Sequence, residues 1–198
     1  MPRRPDRENR LDLLDRAVDY VSENGIADLS LRPLAHALDV SPAILLYHFA
    51  SKENMIVELL GRAGDRQRTM FERLRSDDSA SAQDVCREAW RVLSAPRALP
   101  LFRLFFEVYA LALQSPARFP AFFPGAVHNW LGFLERPALR EGCSPSEARR
   151  RATVILAGYR GFLLDLCATH ERKRVEGAVE AWIRTLPFLG EDTCIGAS

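Results

Sequence analysis

Cysteine, lysine and long apolar runs are all scarce in this chain, and each scarcity excludes something. The four cysteines, Cys86, Cys143, Cys167 and Cys194, are far apart and form no C-x-x-C pair. Such spacing argues against a zinc site and fits a reducing compartment, where cysteines serve as small core hydrophobes or surface thiols. His36, His48, His128 and His170 show no metal-ligand or nucleophile–base spacing, and no glycine-rich loop is present to cradle a phosphate. Neither an enzyme nor a bound metal or cofactor is therefore expected. No stretch approaches about 18 apolar residues, the length a membrane span requires. The opening MPRRPDRENR is charged throughout, unlike a secretory signal. The expected location is cytoplasmic, with no membrane partner. With 25 arginines and only two lysines, and a net charge of +1, there is no global electrostatic signal for nucleic acid. Residues 1–52 count seven basic against eight acidic side chains, so any such footprint must be local.

Hydrophobic content of 47% over 198 residues is enough to bury a core in one or two domains. The most informative stretch is residues 26–60, IADLSLRPLAHALDVSPAILLYHFASKENMIVELL. Ser30 stands where an N-cap belongs, ahead of Leu31, Leu34, Ala35 and Leu38, whose spacing lines one helical face. Pro33 falls in the first turn, where its missing N–H costs little. Asp39-Val40 breaks the helix, and Ser41-Pro42 restarts it with serine as N-cap and proline at the first helical position. The second helix, residues 43–49, is too short to stand alone and must pack on its neighbours. Two short helices joined this way describe a helix-turn-helix, whose second member enters the DNA major groove. Its reading surface, Ala43, Ile44 and Leu46, is apolar. Such side chains can touch thymine methyls but cannot hydrogen-bond base edges. Base readout is therefore assigned to Arg32 and methyl contacts, with the remainder from DNA shape. Ile44 and Leu46 can equally pack inward, and the residues alone leave that open.

SPAILLYHFASKE, with R-x-x-LLDRAVDYVSENG and LSLRPLAHAL upstream of it, resembles the signature of the TetR family of bacterial transcriptional regulators. The resemblance runs from about Arg10 to Leu60 and is strongest at Tyr47-His48-Phe49 followed by Lys52-Glu53. Two positions depart from the family pattern: Asp39 stands where glycine is common, and Leu46 where the first of two aromatics often stands. The resemblance implies that Tyr47, His48 and Lys52 hold phosphates, which fixes register without reading sequence. Together the candidate DNA-binding residues are Ser30, Arg32, Ser41, Pro42, Ala43, Ile44, Leu46, Tyr47, His48 and Lys52. Arg3, Arg4, Arg7 and Arg10 form a basic N-terminal stretch, either an arm that follows DNA or a solvated tail.

Helical patterns fill the rest of the chain, and no alternating run makes a convincing strand. Leu11, Leu14, Val18 and Val21 share a face of a first helix that stops at Asn24-Gly25. A longer helix from Lys52 to about Leu74 would reach roughly 35 Å. Beyond a polar break at 76–79 the expected helices are 82–94, 98–114, 125–141 (either whole or broken at Pro137), 146–169 and 172–186. The expectation is an all-α chain of about nine helices. Residues 1–51 would be a three-helix DNA-binding domain, and residues 52–198 a larger helical domain entered through a connecting helix, 52–75.

The TetR resemblance makes the second domain a ligand-binding and dimerisation domain. Its aromatic richness fits that role, although an aromatic stripe at helical spacing is also ordinary core. Candidate ligand-binding residues are Trp90, Phe102, Phe105, Phe106, Tyr109, Phe122, His128, Trp130, Tyr159 and Phe162. The last two helices suggest a homodimer surface, with Gly158, Gly161, Asp165, Val175, Val179 and Trp182 as candidate contacts; an intramolecular bundle would use the same stripe. The function expected is a ligand-responsive regulator, a repressor by default. It would bind a near-palindromic operator in double-stranded DNA as a homodimer and be released by a small apolar or aromatic effector. A helical small-molecule or protein binding module without sequence-specific DNA readout is the alternative. Activation instead of repression stays open.

Overall fold

The computed structural model describes residues 4–24, 30–74, 82–140 and 142–186. Among these residues there are nine α-helices and no strand. They are α1 Arg4–Asn24, α2 Leu31–Ala37, α3 Pro42–Phe49, α4 Lys52–Leu74, α5 Ala82–Leu93, α6 Leu99–Gln114, α7 Asn129–Arg140, α8 Pro145–Thr169 and α9 Arg172–Thr185. Short 3₁₀ turns at Pro96–Ala98 and Pro116–Arg118 flank α6, and a π-helical turn at Pro124–His128 precedes α7. The sequence left a break at Pro137 open; α7 runs through it to Arg140. Pro137 lies in the last turn, where a proline costs only a ladder bond at a fraying end.

The helices gather into two compact units. Residues 1–67 with 96–123 form the first, and residues 68–95 with 124–198 form the second. The long helix α4 contributes to both, and α6 is counted with the helix-turn-helix, against α1.

In the first unit the core comes from alternate faces of five helices. Its buried side chains are Leu13, Leu14, Ala17, Val18 and Val21 of α1, Leu34 and Ala35 of α2, Leu45 and Phe49 of α3, and Met55, Ile56, Leu59 and Ala63 of α4. Leu101, Leu104, Val108 and Ala112 make the buried face of α6. The expected face of α1 needs one correction. Leu11 is exposed, and Leu13 and Ala17 take its place in the core, because the buried arc is centred one position round the helix. Outside this core, Asp15 on α1 clamps α4. Its carboxylate accepts from Arg62 Nε and Nη2 at 2.8 and 2.7 Å and from Arg66 Nε at 2.8 Å. Arg66 also reaches Asp19, at 2.6 Å. The Arg62 guanidinium, with help from Arg66, holds the Asp15 carboxyl below the usual carboxylate range.

In the second unit α7 packs on α8, and α9 packs on both α5 and α8. Val175, Val179, Ile183 and Leu186 bury one stripe of α9, and Tyr159, Leu163 and Leu166 bury one of α8. Arg87 grips Glu180 through two bonds of 3.0 and 3.1 Å, and Arg174 grips Asp165 at 2.9 and 2.6 Å. The α8 helix is long and apolar enough to cross a membrane by length and composition, which the sequence reading did not expect. Its buried arc and its ion pairs make it a packed helix of this unit. Cys86 is buried and Cys167 is half-buried. Cys143 corrects the expectation of thiols alone: it is disulfide-bonded.

Two predictions follow from this packing. The depressed pKa of Asp15 contributes stability that is complete above its unfolded value near 4 and is lost as pH falls through the lower folded value. Asp15→Asn should therefore lower stability at neutral pH by about 1–2 kcal/mol and flatten the acid limb of a thermal-melt series between pH 5 and 2. The second concerns glycines. A Cβ on Gly61 of α4 meets open space, whereas one on Gly158 of α8 would lie 2.3 Å from the Trp182 ring. In calorimetry Gly61→Ala should gain about 1 kcal/mol from helix propensity. Gly158→Ala should instead lose about 1–3 kcal/mol to overpacking.

Candidate nucleic-acid interface and effector region

The two short helices of the first unit are fixed mainly at their ends. In α2, Ser30 occupies the N-cap position with extended backbone, yet its side chain makes no capping bond. The Ser41 hydroxyl does cap α3, accepting from the Ile44 N–H at 3.3 Å, with Pro42 in the first helical turn. Between them the Val40 N–H donates to Ala35 O at 2.9 Å and the Asp39 N–H to His36 O at 3.1 Å. Asp39 sits at φ 53°, the left-handed region. That explains why glycine suits this position and why aspartate, which tolerates the region better than most residues, can replace it.

The face of α3 turned away from the core decides the question the sequence left open. Leu45 and Phe49 are buried, while Ile44, Leu46 and Tyr47 are 40, 43 and 77% exposed. Leu46 does not pack inward. Ser30, Arg32, Ser41, Pro42, Ala43 and Lys52 are exposed as well, and His48 is half-buried with its ring edge-on to Tyr47. All ten candidate DNA-binding residues thus keep at least part of their surface on the outside of the first unit. Arg4, Arg7 and Arg10 lie on α1 and not on an arm; Arg3 lies outside the described residues. Arg10 is engaged within the fold, donating to His48 O at 3.2 Å, pairing with Glu58 and lying 5.0 Å over the Phe49 ring.

At the junction of α3 and α4, Ala50 takes φ 63° and the Ser51 N–H bonds back to Phe49 O at 2.7 Å, a tight three-residue turn. Nothing in the sequence marked Ala50 for a left-handed conformation. Ser51 then caps α4 through the Asn54 N–H at 3.0 Å. In the same turn Glu53 accepts from Arg118 at 2.5 Å, so the segment after α6 is tied to the first turn of α4. This contact holds the Glu53 carboxyl below its ordinary range.

The candidate ligand residues fall into separate groups. Phe102, Phe105, Phe106, Tyr109 and Phe122 form one connected ring cluster in the first unit, with neighbouring centroids 5.3–6.5 Å apart. Phe123 joins it through Tyr109. In the second unit Trp90 and Phe162 meet at 6.3 Å, and Trp130 lies under Arg68 and beside Phe133. His128 is exposed on the π-helical turn. The buried Trp90 indole N–H has no hydrogen-bond partner. The Tyr159 hydroxyl donates to Cys86 O at 2.8 Å, which ties α8 to α5, and burial pushes its pKa well up.

The candidate dimer contacts need a larger correction. Val175 and Val179 are buried within the single chain, Trp182 packs against Tyr159 and Phe162, and Gly158 makes room for the Trp182 ring. Asp165 is held by Arg174. Of the expected residues only Gly161 lies wholly on the outer surface of α8. It belongs to a different stripe, Val154, Ala157, Gly161, Leu164 and Ala168, exposed at alternating steps of three and four. Ala178 and Ala181 extend exposed small residues onto α9. That three-four alternation was legible in the sequence, but the buried stripe beside it is larger and more apolar, and drew the assignment.

Comparison with known proteins agrees with this geometry. Residues 13–59 match the family model of bacterial regulatory proteins, tetR family. The nucleoid occlusion factor SlmA of Actinobacillus pleuropneumoniae serotype 5b (strain L20) is 26% identical over 171 residues, covering 84% of this chain and 81% of that protein. The HTH-type transcriptional regulator BetI of Rhizobium meliloti (strain 1021) is 25% identical over 171 residues, covering 84% and 70%. Among solved structures, a TetR-family transcriptional regulator from Pectobacterium atrosepticum superposes with a TM-score of 0.72 at 16% identity, covering 94% of this chain and 96% of that one. The helix-turn-helix segment thus matches the tetR family of bacterial regulatory proteins in sequence, and most of the chain shares the fold of a TetR-family transcriptional regulator.

Proposed function

We propose that this protein is a TetR-family, ligand-responsive repressor that binds a near-palindromic operator as a homodimer and is released by a small apolar or aromatic effector. The observation that carries the DNA half is the outer face of α3. An isoleucine, a leucine and a tyrosine stay exposed on one turn of an eight-residue helix, outside its buried face. They suit contact with thymine methyls and sugar–phosphate in a major groove. Arg32 supplies the one guanidinium among the candidate base-reading residues. Residues 1–51 act as the DNA-binding domain and 52–198 as the effector and dimerisation domain, with α4 as the connection.

The effector half rests on the ring clusters of α6 and α8. A compound that spreads the Phe105–Tyr109–Phe122 rings moves α6, whose following turn is tied through Arg118 to Glu53 beside Lys52. Such a ligand weakens DNA binding only by its differential affinity for the two conformations. The dimer half rests on the exposed stripe of α8, with the corrected contacts Val154, Ala157, Gly161, Leu164 and Ala168. Two such subunits present their α3 helices to half-sites about 34–36 Å apart. The similarity to a protein described as a nucleoid occlusion factor favours a second reading, a DNA-binding protein with a task other than transcription.

Sequencing of genomic fragments retained by the purified protein at near-physiological salt tests the DNA half. One enriched palindrome upstream of a few genes is expected, with affinity falling steeply as salt rises. Arg32→Ala should then cost about 1–3 kcal/mol on that site and less on a scrambled duplex. Diffuse retention without a motif overturns specific readout, and sites spread far from promoters favour the second reading. For the dimer, sedimentation at micromolar concentration should show two chains. Leu164→Arg should weaken association roughly a hundredfold or more, since an unpaired charge would be buried; unchanged sedimentation rejects the α8 interface.

A further inference from the structure

We infer that Arg10, Asn54 and Glu58 form a hydrogen-bonded bracket that sets the pose of the recognition helix, so that they govern operator discrimination without touching DNA. The inference rests on the DNA-binding reading above and adds residues that reading does not use.

The physical problem is the C-terminus of α3. A helix of eight residues leaves half of its carbonyls without an internal partner, and its last turn carries the negative end of the helix dipole. Two of those carbonyls are answered by side chains from other helices. Arg10 Nε, from α1, donates to His48 O at 3.2 Å, and Asn54 Nδ2, from α4, donates to Phe49 O at 2.9 Å. Both donors then converge on one carboxylate: Arg10 pairs with Glu58 Oε2, and Asn54 Nδ2 donates to Glu58 Oε1 at 2.9 Å. The Arg10 guanidinium also lies 5.0 Å over the Phe49 ring, which is itself buried in the core.

The result is a closed path, His48 O to Arg10 to Glu58 to Asn54 to Phe49 O, that joins three helices around one helix end. Its position follows the strained turn at Ala50, where an alanine is held in the left-handed region. Without external fixation that turn would relax and swing α3. A positive charge at the C-terminus of α3 further favours the helix through its dipole. A second arginine of α1 does the same for α2: Arg16 Nη2 donates to Leu38 O, the residue that ends α2, at 2.5 Å. Helix α1 therefore braces the C-terminal ends of both reading helices, and their N-terminal halves remain for DNA.

Base contacts depend on helix pose to a fraction of an ångström, whereas phosphate attraction does not. The test uses two fluorescein-labelled 24-base-pair duplexes, the fragment most enriched in the genomic selection and a scrambled version of it. Binding of the full chain is followed by anisotropy at several salt concentrations, for wild type, Arg10→Met, Asn54→Leu and Glu58→Gln, each checked for native helix content by circular dichroism. The expected result is a loss of about tenfold on the enriched duplex, little change on the scrambled one, and an unaltered salt slope. The double variant Arg10→Met with Glu58→Gln should be no worse than the poorer single variant, as expected for one coupled network. A salt slope reduced by about one unit would make Arg10 a phosphate contact and overturn the inference. So would equal losses on both duplexes, or additive losses in the double variant. Should a variant lose its helix content, the charge-preserving Arg10→Lys, which cannot bond His48 O and Glu58 in one fork, replaces it with the same expectation. If the wild type itself does not distinguish the duplexes, the operator reading fails first and this inference falls with it. Discrimination retained by every variant sinks the inference alone.

Discussion

An eight-residue helix cannot hold itself together in water, and the first unit is organised around that constraint. The cost of nucleating α3 is met from outside, through burial of Leu45 and Phe49 and through side chains that reach its terminal carbonyls. Everything that makes α3 useful against DNA follows from its being anchored at one side and one end. With those two surfaces committed, Ile44, Leu46 and Tyr47 are left outside. Helix α1 is long because it must back both short helices, and the Asp15 clamp to Arg62 and Arg66 fixes α1 against α4 for the same reason.

Arginine does most of this bracing. Arg10, Arg16, Arg62 and Arg66 are engaged by carboxylates and carbonyls of their own unit. A forked, permanently charged guanidinium can satisfy a carbonyl and a carboxylate together, which an ammonium does less well. Counting basic residues therefore says little about the proposed DNA-binding surface. Arg10 and Arg16 of the N-terminal segment are structural, and the exposed face of α3 is largely apolar.

The second unit shows the same division between inward and outward stripes. Trp182 fills the space left by Gly158 and is walled by Tyr159 and Phe162. The glycine that looked like a site of close approach between subunits serves a close approach within one chain. The outward stripe on α8 is smaller in side-chain volume and regular in spacing, as a helix–helix seam between copies needs to be.

The sequence by itself determined the all-α class, the positions of most helices to within a residue or two, and the helix-turn-helix; the starts of α1 and α7 lay further off. Those features are local: serine and proline at Ser41-Pro42, the break at Asp39, and apolar spacing act over a few residues. Only the tertiary structure decided that Leu46 faces outward, that Arg10 belongs to a bracket and not to an arm, and that Val175, Val179 and Trp182 are core. Each of those depends on partners far away in the chain, such as Glu58 for Arg10 and Gly158 for Trp182. One-dimensional periodicity shows that a stripe is apolar; which of two neighbouring stripes is covered depends on the helix that packs against it.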